Sequence, residues 1–484
     1  MGQKDELLES VLDEFKKLTE IPRKSGHEKA VSDYLYGYLK ELGFTVYQDE
    51  VNNLVADKAA CTGFEHAPLT ILQGHMDMVC VAEEGAAFDP LKDPIRLNRT
   101  EEYLEAVGTS LGADDGIGVA EAIYILKNCR EHGPLRAIFT VDEEQGMTGA
   151  IHLDKKYLAD ASYLINCDSE NYDELTVGSA GSVNLDFSKK MQLTAATLKK
   201  AWKVSVKGLM GGHSGERIGD GRGNAIRTLA MLLSAMQEAG IRLELVSLDG
   251  GKARNAIPDA AAAVFTADAA KEEIQAVLDD QKARFLKMYG TSDAGIELLL
   301  TETETPAKVF AAEDSTALLR LLHILHTGTY AMSQVIPGLV ETSANLGVIR
   351  TTDALVEIQF FPRSAIDQKI DEFRRMAQDY AALTGFAVKI GTQSPGWKEN
   401  KDSKLAKIMA ETFAEQNGKP MKVETIHAGL ECGWHFLKNP ELDMVSIGVT
   451  TTDIHSPKEK LLLATVAPQV ELITETIHKI AKMK

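Results

Sequence analysis

The chain has 484 residues, 44% of them hydrophobic and 25% charged, which is long enough for more than one core and ordinary for a globular protein. Its 71 Asp and Glu residues against 52 Lys and Arg leave a formal net charge of −19, which argues against nucleic acid or an anionic membrane as a partner. No run approaches a membrane span, the N-terminal segment lacks the apolar centre of a signal peptide, and the five cysteines form no CxxC pair; a cytoplasmic protein with reduced thiols is expected.

Residues 5–42 read as two helices broken near Ile21-Pro22-Arg23, and a strand starts at 44–46. A short apolar run follows at 69–73, a helical period at 116–129, and strand candidates at 135–141 and 163–167. Strands alternating with helices point to an α/β layer with a mostly parallel or mixed sheet flanked by helices. The pattern changes after Gly178. Strands at 183–187 and 201–206, a helix at 224–238, strands at 242–247 and 261–266 and a helix at 271–286 give way to a second strand–helix set at 344–349, 355–361, 366–383 and 386–390. The turn-rich stretch 392–401 ends this part, and a helix at 404–416, a buried strand at 445–449 and a helix at 466–480 return to the earlier style. The expected organisation is a discontinuous catalytic domain, 1–181 and 392–484, with an α+β domain, 182–391, inserted into it.

Five separated segments carry metal-binding chemistry, and each closely follows an apolar, strand-like run. His75 and Asp77 are two apart, so on an extended chain they point to one side; the imidazole can ligate while the carboxylate takes its other ring N–H. Asp114 and Asp115 lie between Gly112 and Gly116, and a carboxylate there can bridge two cations. Asp114 is preferred, although the residues alone do not choose between the neighbours, and an acidic helix start accounts for either of them. Glu143 and Glu144 end the text LRAIFTVDEE, where adjacent acids repel one another unless cations or donors are close; one Glu is suited to ligation and the other to taking a proton from water. Asp168 follows YLINC, and His455 sits among polar residues in TTDIHSP. In open α/β sheets ligands gather at the carboxyl ends of strands, and all five segments are expected at or beyond such ends.

The stretch 208–225, GLMGGHSGERIGDGRGNA, lacks both the Walker ending and the Rossmann spacing, so a phosphate cradle is disfavoured. His213 within it is suited to donating to a developing oxyanion. Asn255 and Arg363 border strands of the inserted region, and either can hold a substrate carbonyl or carboxylate.

The texts LQGHMDMVC, SLGADDGIGVA, FTVDEEQGMTGA, INCDSE, GGHSGE, FFPRS, HAGLECG and TTDIHSP run in order from residue 72 to residue 457. With them the chain resembles the cytosolic aminoacyl-histidine (Xaa-His) dipeptidases, within the di-zinc M20 metallopeptidase family. The resemblance implies two divalent ions per subunit, Zn²⁺ with Co²⁺ or Mn²⁺ as substitutes. It makes Asp114 the bridge, His75 and Asp168 the remaining ligands of one ion, and Glu144 and His455 those of the other. It makes Asp77 the residue that orients His75, Glu143 the general base, and His213 the oxyanion donor, reaching in some dimeric relatives across to a partner. Asn255, Arg363 and Glu431 become substrate contacts, and the inserted region a lid and homodimerisation domain. The implied activity is hydrolysis of dipeptides with a free N-terminus, Xaa-His dipeptides among them. Two alternatives are a metal-dependent amidohydrolase acting on acylated amino acids, which only substrate profiling separates, and a non-catalytic metal-containing binding protein, which has no need of a base such as Glu143.

Overall fold

Apolar runs separated by amphipathic helices build the first of two units. The computed structural model describes residues 2–334 and 336–483. One unit comprises the chain up to Ser179, Trp397–Thr425 and the chain from Leu430 on; the other comprises Ala180–Gly396 and Ile426–Gly429.

The first unit is organised on an eight-stranded mixed sheet. Four neighbouring strands, Leu135–Thr140, Thr70–His75, Tyr163–Asn166 and Asp443–Ser446, run parallel. Leu54–Lys58 and Thr45–Gln48 extend it antiparallel on one side; Glu174–Ser179 pairs antiparallel on the other, with Lys422–Ile426 beyond it. Every residue of the first three parallel strands is buried, which is why they read as continuous apolar runs rather than as alternating ones. Helices Gln3–Thr19, Ala113–Asn128, Lys404–Asn417 and Val466–Ala481 share one core with this sheet through residues such as Phe15, Val119, Phe413 and Ile473. Helix Gln3–Thr19 follows from its text: Val11, Leu12, Phe15 and Leu18 repeat at three- and four-residue steps, Asp5 and Glu6 open it, and Lys16 and Lys17 close it. Pro22 bars its continuation. Phe15 has no exposed surface, so truncation to alanine should cost about 3–5 kcal/mol.

The second unit is an antiparallel sheet in the order Glu297–Thr303, Lys200–Lys207, Ala261–Ala267, Leu243–Gly250, Val340–Thr352, Leu355–Ser364, Gly181–Lys190 and Ala387–Ser394, with Gly328–Met332 beside Val340–Thr352. Buried Val183, Leu185 and Phe187 alternate with half-buried Asn184, Asp186 and Ser188, the period of a sheet with one covered face. Helices Ala225–Glu238, Lys271–Tyr289, Ala312–Ile324 and Asp367–Thr384 pack into its core, and Asn224 caps the first by accepting from the amides of Ile226 and Arg227. The fold is an α/β catalytic domain with a mixed central sheet, carrying an inserted α+β subdomain. Among the described residues no helix is long and apolar enough to cross a membrane, and the five cysteines are all free.

Candidate metal centre

Parallel strands aim their carboxyl ends the same way, and the fold uses this to bring distant acids together. His75 is the last residue of its strand, Glu143 and Glu144 follow Leu135–Thr140 through a short turn, and Asp168 lies two residues beyond Tyr163–Asn166. Asp114 is different. It stands in the first turn of Ala113–Asn128, where the backbone departs from helical geometry at Asp114 and Asp115, so a helix start, not a strand end, delivers it. The expectation that every segment follows a strand is corrected at this position.

Asp114 lies between two imidazoles. Its Oδ1 is 3.1 Å from His75 Nε2, and its Oδ2 is 3.1 Å from His455 Nε2. Asp168 Oδ1 is 3.3 Å from His75 Nε2, and Glu144 is 2.9 Å from His455 Nε2. Two overlapping donor groups result: His75, Asp114 and Glu144, and His75, Asp115 and Asp168, with the donor atoms of each group within 4.8 Å of one another. Asp115 faces inward. Its Oδ2 accepts from the His75 amide at 3.1 Å, and a Cβ at Gly74 or Gly118 would collide with its carboxylate, so two glycines make room for it.

Asp77 joins two of these segments. Its carboxylate accepts from the amides of Glu143 at 3.0 Å and Glu144 at 3.3 Å. It also faces His75 Nδ1 at 3.4 Å, an ion-pair contact too long for a good hydrogen bond, and Nδ1 has no hydrogen-bond partner. The turn before Glu143 is held in a left-handed conformation at Asp142, φ 56, whose amide donates to Glu28 at 3.2 Å. His455 is left-handed as well, φ 58; such backbone in a non-glycine residue is uncommon and is concentrated at functional sites.

Electrostatics describe a site with too many anions. Burial would push the His75 imidazole down, but the Asp168, Asp114 and Asp77 carboxylates raise it well above its ordinary value. Hydrogen bonding to Asp114 and Glu144 lifts His455 to about 10. Burial opposes ionisation of Asp114, yet His455 and His75 hold its carboxyl far below the usual range. Glu143 and Asp168 move the other way, raised first by burial; the negative charge of Asp168 adds to the effect on Glu143, and that of Asp114 to the effect on Asp168. Acids outnumber the imidazoles, and mixed carboxylate and imidazole donors suit divalent cations, so the residues fit a two-metal centre.

Glu431 opens helix Glu431–Lys438 and is fully buried. Its Oε2 accepts from Gln73 at 2.6 Å and Thr140 at 2.7 Å, its Oε1 has no partner, and burial raises its carboxyl to about 6.

His213, Asn255 and Arg363 belong to the second unit. His213 pairs with Ala256 across a two-residue ladder, and the Asn255 carbonyl accepts from the Ser214 amide at 2.8 Å, so these two residues are close neighbours. Arg363 lies in Leu355–Ser364 with its guanidinium 4.7 Å from the Phe361 ring centre, and burial lowers it to about 10. His427, which the sequence reading passed over in HAGLECG, joins this group. Its Nε2 is 2.7 Å from Ser343 Oγ, and burial, with the Arg363 charge nearby, pushes it down to about 3.

Residues 71–479 match the model of peptidase family M20/M25/M40. The chain belongs to this family. It is 36% identical to the cytosol non-specific dipeptidase of Escherichia coli strain K12 over 473 residues, 97% of each protein. The crystal structure of the aminoacylhistidine dipeptidase from Vibrio alginolyticus superposes with a TM-score of 0.89 at 34% identity, covering 97% of this chain and 96% of that one. An aminopeptidase PepT from Bacillus cereus shares the fold at 17% identity and a TM-score of 0.56, over 98% and 99% of the two chains. This M20 protein is a metal-dependent peptidase with a two-metal centre.

Proposed function

We propose that this M20 peptidase hydrolyses dipeptides with a free N-terminus, Xaa-His dipeptides among them, as a cytoplasmic homodimer with two zinc ions per subunit. The observation that carries the reading is Asp114 set between His75 and His455, with the Glu143 turn tied to Asp77 beside it. The full-length likeness to two dipeptidases supports the substrate class.

In this reading His75, Asp114 and Asp168 hold one ion, and Asp114, Glu144 and His455 hold the other. Bound divalent ions supply Lewis acidity and make a water acidic enough to ionise near neutral pH. Asp77 orients His75 from behind. Glu143 takes the proton of the attacking water and passes it to the leaving amine. His213 donates to the carbonyl oxygen as negative charge develops there. Asn255, Arg363 and Glu431 contact substrate, Arg363 being suited to a terminal carboxylate. The inserted region, 182–391, serves as lid and dimerisation domain, and its closure would limit substrate length. The test is a panel of dipeptides, longer peptides and acylated amino acids offered to metal-stripped protein before and after zinc, cobalt or manganese is restored. Metal-dependent cleavage confined to dipeptides is expected; cleavage of acylated amino acids alone would overturn the reading.

A further inference from the structure

Two residues outside the donor groups grip the turn that presents Asp114. Glu459 is buried, and its carboxylate accepts from four successive amides: Leu111 at 2.8 Å and Gly112 at 2.9 Å on Oε2, and Ala113 at 2.8 Å and Asp114 at 3.3 Å on Oε1. The last three are donors that a helix start leaves without partners, and the Leu111 amide lies just before it. Arg23 is buried as well and grips the same turn by its acceptors. Its Nη2 donates to the Gly112 carbonyl, while its Nη1 donates to the carbonyls of Met76 at 3.1 Å and Asp77 at 3.0 Å. The planar fork thereby ties the segment carrying His75 and Asp77 to the one carrying Asp114. Glu459, four residues after His455, ties in the third.

The surrounding sequence is cut to fit this arrangement. A Cβ at Gly112 or at Gly116 would come within 2.5 Å of Arg23 Nη2. Gly112 is also left-handed, φ 69, a conformation glycine adopts without strain. The glycines around Asp114-Asp115 therefore do more than permit a tight turn; they clear the space that the guanidinium fills.

We propose that Arg23 and Glu459 are positioning residues that hold the Asp114 carboxylate at the spacing two metal ions require, acting through the 111–114 backbone without touching the ions. The inference rests on the two-metal reading of the site. A role in folding alone predicts lower stability with an unaltered metal environment, so the test must read the metal. Arg23→Lys keeps the charge but loses the fork, and Glu459→Gln keeps the volume but turns an NH₂ toward two amide donors. Each is titrated with Co²⁺ as the only metal, following visible absorption and competition with a chelator. As a stability control, Asp443→Asn removes a carboxylate that accepts from Ser403, Lys404 and Leu405 at another helix start in the same unit.

Both clamp variants should bind cobalt about 10- to 100-fold more weakly, the range for residues that orient ligands. Their cobalt absorption bands should shift, and kcat at saturating metal should fall while KM is held. Asp443→Asn should be less stable with wild-type cobalt spectrum and affinity. If Glu459→Gln does not fold, Glu459→Asp, which keeps the charge but shortens its reach to the four amides, gives the same readout. Wild-type affinity and spectrum in the folded clamp variants would overturn the positioning role alone. Failure of the wild-type protein to bind two cobalt ions would instead overturn the two-metal reading.

Discussion

Asp77→Asn probes how the site is organised, because the carboxylate has three duties and the amide can perform only part of them. The side chain is fully buried. One oxygen accepts from the Glu143 amide at 3.0 Å, the other from the Glu144 amide at 3.3 Å, and the first also faces His75 Nδ1 at 3.4 Å. Asparagine keeps one acceptor and places an NH₂ against whichever donor remains. Losing one charge-assisted hydrogen bond costs about 1.5–3 kcal/mol, and the stranded buried amide adds about 1–3 kcal/mol. Relaxation of the turn recovers part of that, so a net loss of about 2–4 kcal/mol is expected in urea unfolding of the metal-free protein. The second consequence is chemical. In the proposed centre an anion opposite Nδ1 would keep the proton there and leave Nε2 to ligate; a neutral amide would no longer favour that tautomer, and metal affinity should fall about 10- to 100-fold. Chelator competition measures the second effect independently of the first. Wild-type metal affinity in a folded Asp77→Asn protein would refute the argument that Asp77 orients His75.

Glu143→Gln should retain both metal ions and lose at least about 10²-fold in kcat, checked by metal analysis beside steady-state kinetics; near-normal turnover would remove Glu143 as the base. His213→Ala should lower kcat by about 10²- to 10³-fold with metal content unchanged, and unaltered kinetics would count against an oxyanion contact. Burial, with the Lys438 ammonium nearby, pushes the His435 imidazole down to about 3, and neither ring nitrogen has a hydrogen-bond partner. The unfolded chain takes up that proton near the ordinary value of about 6.5, whereas the folded one does so only near 3. Stability should therefore fall as pH drops through this window, with up to about 1.4 kcal/mol per pH unit from this group. His435→Leu should flatten that slope in urea titrations at pH 4, 5 and 6; an unchanged slope would show that the group does not carry it.

The part of the fold that positions the chemistry was the most legible. Fully buried parallel strands leave a plain mark, a largely apolar run, and the runs before His75, Glu143 and Asp168 end within one or two residues of the strands. The long helices Gln3–Thr19, Ala225–Glu238 and Asp367–Thr384 announce themselves by their period. Short strands do not. Leu97–Arg99 and Tyr103–Ala106 are only three and four residues long and hold mixed polar side chains, so pairing rather than pattern defines them. Helix Ala312–Ile324, which is not among the expected elements, has an apolar face in Leu318, Leu319, Leu321 and Leu322. At Asp114 and Asp115 the residue types were equivalent on paper. Tertiary surroundings separate them: one carboxylate faces two imidazoles, while the other is buried against the His75 amide between two glycines.

The supporting residues were illegible for a physical reason. A donor to metal belongs to a small set of residue types, and a cluster of them at strand ends is informative even without contacts. A residue that works by holding backbone has no such restriction. Arg23 follows Ile-Pro at a helix break, and Glu459 sits among lysines, so each looks like a solvated surface charge. Their partners lie far away in the chain: 89 residues separate Arg23 from the Gly112 carbonyl, and 348 separate Glu459 from the Leu111 amide. The signal that does exist belongs to their partners. Gly112 and Gly116 bracket the paired aspartates, and local reasoning assigns them to turn geometry, although the space above them is occupied by a guanidinium. Unexplained glycines beside ligand-type residues thus mark where some other buried group must fit. At this centre the marked group is the arginine that joins the His75 and Asp114 segments.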